Sequence, residues 1–168
     1  LGLGGTIAMS PAGGRGAVPG LTAEDLVAQL PESVVGHIRH VENFRQLPGA
    51  HIGLDDLVQL AARIRELEQS GEANGFVVVQ GTDTIEETVF ALELLCRGSA
   101  PVVVTGAMRH TGLVSPDGAA NIANAVILAA SPSARERGAM VCFNDEIHAG
   151  WAVQKTAATN LAAFSSPG

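Results

Sequence analysis

The stretch FVVVQGTDTIEETVFALELL, Phe76 to Leu95, runs through a strand, a turn and a helix in twenty residues. Phe76-Val77-Val78-Val79 is a continuous apolar run, the pattern of a strand covered on both faces. Ile85 to Leu95 reads as a helix, with Thr84 as its expected N-cap and Glu87 as the capping-box partner. Between them stand Gly81, Thr82, Asp83 and Thr84. Capping accounts for one hydroxyl; it leaves Thr82 and Asp83 without a structural task at the carboxyl end of a buried strand.

Working outward, the same grammar repeats. Leu1 to Leu3 is the stub of a first strand, Pro101 to Thr105 is a further apolar strand, and Ala139 to Phe143 is another. Thr22 is expected to cap a helix, with Asp25 three residues on and Pro31 ending it. In Leu54 to Gln69 the residues Leu57, Leu60, Ala61, Ile64 and Leu67 share one helical face, and Gly71 can close it. Ser115-Pro116 reads as N-cap and first residue of a helix running on through Ala119 to Ala130. Val34 to Phe44 alternates like a strand with one polar face, and Trp151 to Lys155 is expected to be extended. Strand and helix in alternation predict an α/β fold: three layers, a flavodoxin-like and mostly parallel sheet with helices on both faces. Such sheets bind ligands beyond the carboxyl ends of their strands, at the switch point. Thr6, in Gly4-Gly5-Thr6-Ile7-Ala8, and Thr82 both fall at carboxyl ends. If the first strand lies beside the Phe76 strand, the two threonine turns flank that switch point.

Composition narrows the function. The 168-residue chain is 46% hydrophobic and 16% charged, enough for a core and far from the profile of a disordered chain. Its net charge is −7, and no basic stripe offers itself to nucleic acid or to an anionic membrane. Cys96 and Cys142 form no CxxC or Cys/His spacing; they read as buried small hydrophobes and fit a reducing, cytoplasmic setting. His37, His40, His51, His110 and His148 show no metal-ligand spacing, so no metal is expected; His110 is the one placed to line a cleft. Nine arginines accompany a single lysine, Lys155. Lysine can lose its proton when desolvated and arginine effectively cannot, which singles Lys155 out.

The turn after Leu3 allows two readings. Gly2-Leu3-Gly4 begins a dinucleotide fingerprint, but Ile7 stands where its third glycine is needed. The other reading is a threonine nucleophile among glycines whose N–H groups can face an oxyanion. Threonine needs a base, and Asp83 with Lys155 can supply one through Thr82. The glycine- and proline-rich segment Met9 to Gly20 directly after Thr6 is expected to be a lid-like loop. Asp117, in a first helical turn, reads as an acid placed for the helix dipole.

GGTIA (Gly4 to Ala8), VVVQGTDTIEET (Val77 to Thr88), PVVVTGAMR (Pro101 to Arg109), SPDGAANIANA (Ser115 to Ala125) and VQKT (Val153 to Thr156) resemble the bacterial-type L-asparaginase/glutaminase family, in the family's order. The resemblance implies an amidohydrolase that converts L-asparagine, and in some members L-glutamine, to the acid and ammonia without cofactor or metal. It implies Thr6 as nucleophile, with Thr82, Asp83 and Lys155 as a second triad, and Asp83 also on the substrate's α-amino group. Gly5, Gly81 and Ala107 match backbone positions of the pocket. Two departures stand out. The chain has no tyrosine where the family carries one after GGTIA, and the aligned region offers residues such as Val18. The family's Ser-Gln pair for the α-carboxylate is replaced by Gly49-Ala50-His51-Ile52, so backbone N–H groups at Ala50 or the His51 ring are the candidate substitutes. The resemblance further implies that residues 1–156 are an N-terminal α/β domain, that 157–168 begin a linker, and that a smaller C-terminal domain is absent from this chain. The fragment alone would then be nearly inactive, and the whole protein a homodimer or homotetramer. Rival readings are the ammonia-supplying, asparaginase-like subunit of a tRNA-dependent amidotransferase and a non-catalytic flavodoxin-like module that binds an amino acid or nucleotide.

Overall fold

A computed structural model describes residues 1–11 and 17–167. In chain order the strands and helices are β1 (Met9–Pro11), β2 (Ala17–Pro19), α1 (Ala23–Val27), α2 (Glu32–Val35), α3 (Leu54–Gln69), β3 (Phe76–Val79), α4 (Ile85–Leu95), β4 (Val102–Thr105), α5 (Gly118–Ala130), β5 (Ala139–Phe143), β6 (Glu146–Ala149), β7 (Gln154–Lys155) and β8 (Phe164–Ser165). Short 3₁₀ turns cover Thr6–Ala8, Gly49–His51 and Thr82–Thr84.

The central sheet has the order β3-β4-β5-β6, with β3, β4 and β5 parallel and β6 antiparallel at the edge. On the far side of β3, Gly2 bridges Val79 in parallel and Asn43 bridges Gly2 in turn. The Leu3 N–H donates to Val79 O at 2.8 Å, and the Val79 N–H donates to Leu1 O at 3.0 Å. The opening segment therefore lies beside the Phe76 strand, the flavodoxin-like order that the threonine argument requires.

The core divides by the strand period of two. Val102 and Val104 face α3 and α4, packing with Leu60, Ile64, Val89 and Leu92, while Val103 faces α5 with Ala125 and Ala129. Ile7, Val79, Ala107, Ile122 and Val126 close the α5 face beneath the first threonine turn. Thr22 caps α1 with Asp25 in a complete capping box. Phe164 is buried edge-on against Phe143, ring centroids 5.0 Å apart, and so ties β8 to the core.

Several expectations give way. Val34 to Phe44 is not a strand: Glu32–Val35 is a helical turn that starts behind Pro31, and only Asn43 makes a bridge. Val34 and Ile38 pack into the same cluster on the α5 side, so the operative spacing there is four, a helical period. The lid segment Met9 to Gly20 includes residues 12–16, which lie outside the described residues; flanking them, β1 and β2 pair antiparallel with Ser10 opposite Val18. The stretch after Phe143 forms a hairpin, with Asn144 at φ 50° and Asp145 at φ 63°, a turn that Asn and Asp tolerate unusually well. Helix α5 starts at Gly118 and is flanked by Asp117, and Ser115 sits at φ 55° away from the helix end.

Candidate active site

Three turns converge at the carboxyl ends of the opening segment and β3. The first carries Thr6, the second Gly49–His51, the third Thr82–Thr84. Glycine permits the contact. A Cβ added to Gly5 would overlap the Gly81 backbone nitrogen, and Gly5 itself is at φ +89°. A Cβ on Gly81 would lie 2.9 Å from Gly49 Cα, and one on Gly49 would lie 3.1 Å from the Gly81 carbonyl carbon. Gly5, Gly49 and Gly81 thus press backbone to backbone. The backbone of Thr6 opens a 3₁₀ turn closed by the Ala8 N–H on Gly5 O at 3.0 Å.

Side chains lock the second and third turns. Thr84 Oγ1 donates to Gly49 O at 2.9 Å, and the buried Gln80 donates from Nε2 to Thr84 Oγ1 and to Gly81 O, each at 3.3 Å. Thr84 flanks α4 but makes no side-chain cap, so neither it nor Glu87 forms the expected capping box. Its hydroxyl is engaged 35 residues away in sequence.

Lys155 reaches this cluster from β7. Its Nζ donates to Thr82 Oγ1 at 2.9 Å and to Asp83 Oδ1 at 2.9 Å. Thr82 is buried, and the lysine side chain is 15% exposed, against 66% for Asp83. The Nζ end is thus held at the rim of the site between a covered hydroxyl and a carboxylate open to solvent. A proton leaving Thr82 Oγ1 has Nζ within one hydrogen bond, and Asp83 fixes the direction of that nitrogen.

Ala107 is fully buried, backbone included, with its methyl near Gly118. That backbone is held from below. Asp117 accepts from the Met108 N–H at 3.0 Å and the Arg109 N–H at 2.8 Å. Asn121 donates to Gly106 O at 3.0 Å and to Asp117 at 3.2 Å, and accepts from the Asn144 N–H at 3.0 Å. Asp117 is therefore a clamp on the loop after β4, where the sequence suggested only an acid in a helix's first turn. Ala50 and His51 are exposed on the middle turn. His110 accepts from the Gly112 N–H at 3.2 Å and bonds neither threonine turn. Burial pushes the thiols of Cys96 and Cys142 up to about 11. Among the described residues, no group of three or more His, Cys, Asp or Glu could hold a metal ion, and no helix is long and apolar enough to cross a membrane.

An open α/β sheet with two glycine-backed threonine turns at its switch point, and a lysine hydrogen-bonded to the second, defines the class. The chain belongs to the family described as "Asparaginase, N-terminal", which it matches over residues 1–168. It is 39% identical over 145 residues to a protein of Pseudomonas fluorescens biotype A named glutaminase-asparaginase, covering 86% of this chain and 40% of that one. It is 37% identical over 145 residues to L-asparaginase 2 of Bacillus subtilis (strain 168), covering 85% of this chain and 38% of the relative. The crystal structure of a probable cytoplasmic L-asparaginase from Campylobacter jejuni superposes with a TM-score of 0.89 at 34% identity, over 99% of this chain and 50% of that chain. The chain thus spans half or less of the length of these relatives.

Proposed function

We propose that the protein carrying this chain hydrolyses the side-chain amide of L-asparagine to L-aspartate and ammonia. In this reading Thr6 Oγ adds to the amide carbon, and the C–N bond breaks as ammonia leaves with the hydroxyl proton. Water then cleaves the resulting ester and restores Thr6. Thr82, Asp83 and Lys155 form the proton-handling wall, with Lys155 Nζ taking and returning a proton through Thr82 Oγ1. Asp83, exposed at the rim, receives the α-ammonium group, and the Gly49–His51 turn with Ala50 and His51 receives the α-carboxylate. The backbone of Gly5, Gly81 and Ala107 lines the pocket.

The observation that carries the reading is the pair of 2.9 Å bonds from Lys155 Nζ to Thr82 and Asp83. L-Glutamine is a second substrate on this reading, supported by the name glutaminase-asparaginase of the Pseudomonas relative. A cytoplasmic, homo-oligomeric enzyme with a smaller C-terminal domain goes with it. The description of the Campylobacter protein as cytoplasmic supports the compartment, and the half-length coverage of the relatives supports the further domain. The test is ammonia release by the full-length protein and its Thr6→Ala variant. Loss of turnover in a folded variant is expected, and native turnover would remove Thr6 from the mechanism.

A further inference from the structure

Lys155 sits on an element that the main sheet does not hold. Strand β7 is two residues long and pairs only with β8 among the described strands, Gln154 opposite Ser165 and Lys155 opposite Phe164. No ladder joins it to β3, whose end carries Thr82. Its neighbour Thr156 turns its N–H toward β8, onto Ala163 O at 2.8 Å. The Lys155 N–H points the other way, and the carboxylate of Glu86 accepts it through Oε2.

Glu86 is the second residue of α4, and the 3₁₀ turn Thr82–Thr84 runs directly into that helix. Lys155 is therefore bound at both ends to the stretch from Thr82 to Glu86: its backbone N–H to Glu86, its Nζ to Thr82 and Asp83. A lysine held only by its tip would keep the rotamer freedom of a four-carbon stem on a strand that no ladder of the central sheet fixes. Fixing its main chain to the element that also carries its two partners makes the span between them constant.

We propose that Glu86 is a positioning residue for Lys155, an inference that rests on the proton-handling role given to that lysine above. Glu86 bonds the Lys155 main chain, while Thr82 Oγ1 is bonded by Lys155 Nζ. It acts by setting where β7 lies over α4, so that Nζ arrives at hydrogen-bond distance from Thr82. An acid in the first turn of a helix also suits the dipole, but that role needs no contact with β7.

The test compares kcat, KM and the pH profile of ammonia release for the full-length protein and its Glu86→Ala, Glu86→Gln and Lys155→Met variants. Displacing a catalytic group by about 1 Å can lower rates about a hundredfold, so Glu86→Ala is expected to lose at least about tenfold in kcat with KM within about threefold. Glu86→Gln keeps an acceptor oxygen and should restore kcat to within about threefold of native. The limb of the pH profile that disappears in Lys155→Met should move in Glu86→Ala and stay in place in Glu86→Gln. If Glu86→Ala does not fold, Glu86→Asp, which withdraws the carboxylate by one methylene, takes its place with the same expectation. Native kcat and pH profile in the folded Ala or Asp variant, or equal impairment by Gln and Ala, would overturn the positioning role. Native kcat in Lys155→Met would instead overturn the catalytic reading beneath it, whatever Glu86 does.

Discussion

Gly5 and Gly81 touch backbone to backbone, with no room between them for a single methyl group. One glycine precedes Thr6 and the other precedes Thr82, so their contact fixes the spacing of the two threonine turns. Gly5→Ala adds both that overlap and a left-handed backbone at φ +89°. Gly71, at φ +75° with nothing within 4 Å of an added Cβ, supplies the matched control. Strain alone should cost Gly71→Ala about 1–2 kcal/mol. Gly5→Ala should lose at least about 1–3 kcal/mol more through overpacking. Urea unfolding midpoints of the two variants check the difference.

Asp117 accepts two backbone N–H groups from the loop that carries Ala107. Asp117→Ala leaves both donors without their acceptor and should destabilise by about 1–3 kcal/mol. Because the backbone of Ala107 lines the proposed pocket, the same variant should raise KM more than Ala substitutions at exposed sites. Steady-state kinetics beside a denaturation curve separates the two effects.

Burial holds the Cys142 and Cys96 thiols at about 11. At pH 8 only about one in a thousand is thiolate, so alkylation of the folded protein should be slow and should accelerate sharply in denaturant. The folded state keeps its thiol protons to higher pH than the unfolded state. The resulting stabilisation is full below the unfolded thiol range near about 8.5 and is lost as pH rises through the folded value. Stability should therefore fall on the alkaline side, and Cys142→Ala should flatten that fall in pH-dependent unfolding curves.

Much of this was readable from residues. The apolar run Phe76 to Val79 and the helical face of Leu57, Leu60, Ile64 and Leu67 fix β3 and α3, because strand and helix periods are written in single side chains. Val34 to Phe44 misled, because a short alternation also fits the four-residue spacing of Val34 and Ile38. The β6 hairpin was hidden in Asn144-Asp145, a turn signal too brief to weigh alone. In the candidate site, residue types pointed to Thr6, Thr82, Asp83 and Lys155. The supports did not show, because two are contacts across distant sequence, Thr84 to Gly49 and Glu86 to Lys155, and the third, Asp117 to Met108 and Arg109, depends on how the loop after β4 folds back. Glutamate and aspartate in first helical turns have an ordinary local explanation, and only the fold reveals a second one.

Lys155 stands behind Thr82 as the base of the proposed reaction. The most direct test of that role is kcat for ammonia release from L-asparagine by full-length protein carrying Lys155→Met, with folding verified by circular dichroism. A general base contributes about 10²–10⁴-fold, so kcat should fall by that factor while KM changes little. A folded Lys155→Met protein that turns over L-asparagine at the native rate would remove Lys155 from the chemistry.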